Sequence, residues 1–151
     1  MNLRKKYSDI VLLVVGSFEI EQIKNPGIIE IIKTDKSIIY AGFQENIPLY
    51  LSVMDVFVLP SWGEGFGHVF IQAAAMGLPV IGTTGTGCRD AVNDGFNGLL
   101  VEPKNVNELT EKMNELYKND RLRSNLGRNG IKWAENFDNS IIWEGIQELY
   151  N

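Results

Sequence analysis

Apolar positions follow two patterns along this chain. Short, nearly continuous apolar runs occur at residues 10–15, 38–41, 56–59, 80–81 and 99–101. Runs of this length, rich in Val and Ile and stopped by Gly or Pro, predict strands buried on both faces. Elsewhere apolar residues recur at helical spacing. Pro26 suits the first turn of a helix running to about Lys33. Ile47, Tyr50, Leu51 and Met54 mark the next helix, 68–76 a third, and 89–92 a short fourth. From Asn105 onward the period is wholly helical. Leu109, Met113 and Leu116 form one stripe, capped by Asn105 or Asn107. Residues 121–135 make another helix, with Leu122, Leu126 and Trp133 turned inward. A last helix runs from Asp138 or Asn139 to Tyr150. Strands alternating with helices predict an α/β fold with a doubly wound parallel sheet and a helical C-terminus, formed as one domain over 1–151.

The chain is organised around residues 56–81, which read as strand, glycine loop, helix, strand. Pro60, Ser61 and Gly63 stop the first strand, and Glu64-Gly65-Phe66-Gly67 makes a tight turn that only glycines allow, because such turns visit positive φ or bring the backbone close to something. Good helix formers follow, Gln72 to Met76, ended by Gly77 and Pro79. The loop leaves backbone N–H groups free at a helix N-terminus, which favours an anion. Glu64 on the same loop repels an anion but accepts from hydroxyls. Phosphate on the amides with hydroxyls on Glu64 describes a sugar nucleotide. Many strand-to-helix turns carry two glycines and bind nothing, so the loop alone leaves a purely structural role open. Gly16, Gly42 and the glycine-rich 82–87 also fall at strand carboxyl ends, where ligands of parallel sheets bind. Residues 93–98 are dense in turn formers.

Composition narrows the possibilities. A net charge of -5 over 151 residues, with no basic cluster beyond Arg4-Lys5-Lys6, argues against nucleic acid as a partner. The one cysteine, Cys88, excludes an internal disulfide and reads as a packed thiol in a reducing compartment. A single histidine excludes a His-rich metal site. The run 10–15 is too short to span a bilayer, and no cleavable signal pattern precedes it, so the expected location is cytoplasmic.

Taken together, Pro60-Ser61-x-x-Glu64-Gly65-Phe66-Gly67, the AAAMGLP of 73–79, Gly85-x-Gly87-Cys88-Arg89-Asp90 and Asp94-Gly-x-Asn97-Gly98-Leu-Leu-Val-x-Pro103 resemble a known family. They look like the C-terminal half of a retaining glycosyltransferase of the GT-B fold, nearest the family 4 branch that builds capsular polysaccharide, exopolysaccharide and lipopolysaccharide. Gly42-Phe43, Ile47-Pro48-x-Tyr50 and Asp55 extend the resemblance over nearly the whole chain. It implies that this half binds the nucleotide-sugar donor. Glu64 then matches the first of two family glutamates and contacts donor-sugar hydroxyls, as the catalytic position. Gln72 stands at the second, which contacts the ribose, and can bond a diol without charge. The amides of Gly65, Phe66, Gly67, His68 and Val69 would meet the diphosphate, and Gly42 and Phe43 would lie beside the base. No cofactor and no metal are implied.

The resemblance also implies what this chain lacks. Family members carry an Arg and a Lys upstream of the strand matching 10–15 that neutralise the leaving group, and Arg4, Lys5 and Lys6 do not match them. The N-terminal acceptor domain is expected in cis or as a separate chain, and any contact with the inner face of the membrane would come through it. Losing such electrostatic stabilisation costs roughly 3–4 kcal/mol, so this chain alone is expected to bind donor weakly and to transfer almost nothing. The family's first strand would likewise precede Met1, so 10–15 is expected to pair directly with 56–59 in the order 2-1-3-4-5. Two other readings stand beside this one: a stand-alone nucleotide-sugar-binding module without transfer activity, and a sugar-nucleotide epimerase using Glu64, Asp90 or His68 as base.

Overall fold

The computed structural model describes residues 2–18, 23, 25, 27–63 and 65–138, and these form two compact units, Met1–Tyr50 and Leu51–Asn151. The expected last helix from Asp138 or Asn139 to Tyr150 lies beyond the described residues, Asp138 excepted.

The first unit runs α1 (Asn2–Lys6), β1 (Leu12–Val15), α2 (Gly27–Thr34), β2 (Ile38–Gly42) and α3 (Ile47–Leu51), whose last residue opens the second unit. β1 and β2 pair in parallel, Leu12 with Ile38 through Val15 with Gly42, with a register slip between Val14 and Val15. Asp35 sets the turn into β2: its Oδ1 accepts from Ser37 N at 2.9 Å and from Ser37 Oγ at 2.6 Å. These two donors, the hydroxyl foremost, hold the Asp35 carboxyl below its usual pKa. Phe18 stacks on Tyr40 with ring centroids 4.5 Å apart.

The second unit contains β3 (Phe57–Val58), α4 (His68–Ala75), β4 (Val80–Thr83), α5 (Cys88–Ala91), β5 (Gly98–Val101), α6 (Val106–Lys118), α7 (Asp120–Ala134) and a 3-10 turn, Glu135–Phe137. Its strands form a parallel sheet ordered β3-β4-β5. β4 lies in the middle and is buried at all four positions. Alternation along the strands separates two faces. Ile81, Leu99 and Val101 pack with Leu116 of α6 and Leu126 of α7. On the opposite face the Phe70 ring of α4 fills the space that a Cβ on Gly82 would need, and meets Phe57 edge-on at 5.6 Å. Helices thus cover both faces, which is the doubly wound arrangement.

Local chemistry explains the boundaries. Asn105 caps α6 by accepting from Glu108 N at 3.1 Å, and Glu108 Oε2 accepts from Asn105 Nδ2 and Glu102 N in return. Asn119 caps α7 through Leu122 N. The turn after α5 is built on side chains. Buried Asn97 accepts from Asn93 N at 2.8 Å, Asp94 Oδ1 accepts from Leu100 N at 2.9 Å, and a Cβ on Gly98 would sit 2.4 Å from the Val80 carbonyl oxygen. α4 and α7 approach through small residues: a Cβ on Gly127 would lie 2.1 Å from the Gly77 carbonyl oxygen, and one on Gly130 3.1 Å from that of Ala74. None of the described helices is long and apolar enough to cross a membrane.

The ladders described lie within the units, β1 with β2 in the first and β3 with β4 and β5 in the second; the expected pairing of 10–15 with 56–59 would run between the units. β1 itself is little buried: Leu12 is 44% exposed, and Leu13 to Val15 are half-buried. One expectation is corrected. Gly82 and Thr83 belong to β4 rather than to the following loop, because Phe70 packs under Gly82 and the β5 ladder continues to Val101.

Candidate functional site

Two loops at the carboxyl end of the β3-β4-β5 sheet are fastened to each other. After β3 the backbone runs through Pro60 to Gly67; after β4 it runs from Thr84 to Gly87. Leu59 N bonds Ile81 O at 3.0 Å, which carries the pairing of β3 and β4 to the start of the loop. Thr83 Oγ1 then donates to Ser61 O at 2.5 Å, and Gly63 bridges Thr86. A Cβ on Gly85 would approach the Trp62 carbonyl oxygen to 2.7 Å, so the two backbones touch. Gly67 repeats this one step further on. It takes φ +70 at the N-cap of α4, where its missing Cβ leaves room for the Gly87 carbonyl and for Phe70. A third loop, 102–105, joins through Thr84 Oγ1, which donates to Glu102 Oε1 at 3.0 Å, and through Lys104, whose Nζ lies 3.8 Å from the Trp62 ring centroid.

This architecture opens α4 without a side-chain cap. Phe70 N turns back to Gly67 O at 2.9 Å, and the first N–H groups of an α-helix have no partner within the helix. Gly65, Phe66 and His68 are exposed here, Val69 is half-buried and Gly67 is buried. Gln72 lies one turn on from His68 on the same exposed side of α4. The arrangement offers fixed N–H donors and positive helix-dipole charge to an anion, with a neutral donor and acceptor one turn away.

Gly65, Phe66, Gly67, His68, Val69 and Gln72, predicted as site residues, are therefore brought together at one loop and helix start. Glu64, predicted as the catalytic position, lies outside the described residues. Gly42 ends β2 in the first unit and Phe43 follows it; Gly42 has φ +68, its carbonyl accepts from Gly16 N at 2.8 Å, and Phe43 is 71% exposed. Among the described residues no group of three or more His, Cys, Asp and Glu side chains could hold a metal ion. Cys88 is buried, with Thr83 Oγ1 at 3.8 Å from its sulfur, as a packed thiol.

Sequence reasoning did not find the rings around this loop. Phe66 meets Phe137 with centroids 5.6 Å apart, and Phe137 meets Trp133 at 5.7 Å. Trp133 Nε1 donates to Ala91 O at 2.9 Å. Helical spacing had placed Trp133 inward, but no local pattern connects positions so distant in sequence.

Residues 1–133 match the family described as Glycosyl transferases group 1. A capsular polysaccharide biosynthesis glycosyltransferase of Staphylococcus aureus, CapM, is 37% identical over 145 residues, covering 95% of this chain and 38% of its own. The C-terminal domain of a glycosyl transferase group 1 family protein, LpcC, from Francisella tularensis superposes with a TM-score of 0.77 at 29% identity, over 88% of this chain and 72% of that one. Anabaena Alr3699/HepE, solved in complex with UDP, superposes with a TM-score of 0.84 at 24% identity, over 93% of this chain and 40% of that one, which is a likeness of fold. The chain spans well under half the length of its curated relative.

Proposed function

The chain belongs to the glycosyl transferases group 1 family, with the Rossmann-like α/β fold of a GT-B half, and from that premise we propose that it is the donor-binding part of a retaining glycosyltransferase. The donor is a nucleotide sugar and the acceptor a glycan or lipid-linked glycan, held by a further domain of the complete enzyme. The observation that carries this reading is the uncapped start of α4, which two mutually fastened loops hold open to an anion. The amides of Gly65 to Val69 take the diphosphate. Gln72 bonds the ribose and Glu64 the sugar hydroxyls. That HepE was solved with UDP, and that CapM serves capsule biosynthesis, favours a uridine nucleotide and a polysaccharide product.

Binding to the folded state raises the melting temperature by mass action. A thermal-shift series with UDP-, GDP-, dTDP- and ADP-sugars is expected to give its largest shift with one UDP-sugar. Glu64→Ala should weaken the UDP-sugar more than bare UDP. Gln72→Ala should weaken both by about 1–2 kcal/mol, the scale of one lost hydrogen bond. No shift with any nucleotide sugar refutes donor binding. Equal losses for the two ligands in Glu64→Ala remove it from the sugar hydroxyls.

A further inference from the structure

We propose that Phe137 is a positioning residue for the glycine loop: its ring holds Phe66 and thereby sets the backbone amides at the start of α4. The inference rests on the donor-binding reading for its functional consequence, but its structural part stands alone. The loop has two fixed feet. Gly63 is bridged to Thr86 on one side, and Gly67 is wedged against the Gly87 carbonyl and Phe70 on the other. Between the feet are residues 64–66. Gly65 has no side chain, and nothing lies within 4 Å of where its Cβ would be. Phe66 thus carries the described side chain that can anchor the crest, and it is itself 39% exposed.

Its ring is held from the far end of the unit. Phe137 belongs to the 3-10 turn that follows α7, and meets Phe66 at 5.6 Å with the planes at 63°. Behind Phe137 stands Trp133, at 5.7 Å and 66°. Trp133 is fixed twice, by its Nε1 hydrogen bond to Ala91 O and by an edge contact with Phe96 at 6.3 Å. Asn129 Nδ2 ties the Phe96 carbonyl back to α7 at 3.0 Å. The row ends at the loop, where Phe66 lies 5.1 Å from the His68 ring at the first position of α4. Tilted and edge contacts of this kind restrict ring orientation as well as position. Removing the Phe137 ring frees Phe66 while leaving the two feet and the sheet intact, so the fault is local.

The test is backbone 15N relaxation of the full 151-residue chain without ligand, which reads the order of each N–H, with UDP titration as a second arm. In Phe137→Ala, order parameters at residues 65–69 should fall towards the flexible range, below about 0.6. Those in β4 and β5 should not change. Phe137→Tyr should restore the parent values, and Phe137→Ala on a Phe66→Ala background should add no further loss. Should Phe137→Ala not fold, Phe137→Leu, which keeps bulk and loses the ring, should reproduce the local loss. UDP affinity should fall by about three- to tenfold, the weight of one aromatic pair. Unchanged order at 65–69, or an equal loss in β4 and β5, overturns the proposal. If the parent chain binds no UDP yet the order parameters respond as described, the donor-binding reading fails and the positioning role holds.

Discussion

In the unit Leu51–Asn151 the middle strand β4 is buried at every position, with helices on both of its faces and a strand on both of its edges. In Met1–Tyr50, β1 is more apolar than β4, yet Leu12 is exposed and the other three residues are half-buried. α2 presents four isoleucines and buries none of them, and only Ser37 and Ile38 are buried among the unit's described residues. The contrast shows that an apolar run reports the capacity for burial. How much is realised depends on how many neighbours the strand acquires: among the described residues, and each within its own unit, β4 has two strand partners and β1 has one.

Five substitutions can break or sharpen this contrast. The largest effect is expected at the α4–α7 contact. Gly127→Ala forces a methyl into the Gly77 carbonyl, so the helices must separate. A loss of about 3 kcal/mol or more in urea unfolding is expected, and a loss under about 1 kcal/mol would mean that the contact yields easily. Next comes a matched pair. Leu126 is 1% exposed in the shared core, and Leu126→Ala should cost about 2–5 kcal/mol. Ile31 in α2 is 46% exposed, and Ile31→Ala should cost under about 1 kcal/mol. Equal losses would show that the two units bury apolar surface alike.

A smaller effect is expected at a cap in the better-buried unit. Asn119→Ala leaves Leu122 N without its acceptor and should cost about 1 kcal/mol, read by the same unfolding curves. The smallest belongs to the first unit and depends on pH. Asp35 has a lowered folded-state pKa, so its carboxylate stabilises the fold above the usual carboxylate range. That contribution is lost as the pH falls through the lowered folded value. The stability gap between the parent and Asp35→Asn should therefore be widest near neutrality and close on acidification. A gap that does not vary with pH would remove the carboxylate from the account.

What could be read in the sequence divides along physical lines. The five strands, the helices 68–76 and 121–135, and the turn at 93–98 announced themselves because their causes are local: period, caps and turn formers. The match is close even where limits shift by a residue or two, as at α7, Asp120–Ala134. The glycine loop before α4 was legible for the same reason, through Gly65, Gly67 and the helix formers after them. What escaped involves residues far apart in sequence. Gly127 and Gly130 look like weak points of a helix until Gly77 and Ala74 are seen against them. Phe137 looks like ordinary core until its ring meets Phe66. The exposure of β1 escaped because apolarity alone does not count neighbours.

The glycine contact between α4 and α7 has a consequence for synthesis. Gly77 and Gly127 lie fifty residues apart, from 127 minus 77. At about 5–20 residues per second, the ribosome needs roughly 3–10 s to make the stretch between them. Throughout that interval the face of α4 carrying Ala74 has no helix to meet, because its partner has not been made. A nascent chain in this state presents a helix face smoothed by small residues beside a sheet still missing an outer layer, a surface that chaperones recognise and that neighbouring nascent chains can pair with. Slower translation of codons 78–127 should therefore lower the soluble yield of this protein more than equal slowing over codons 1–50.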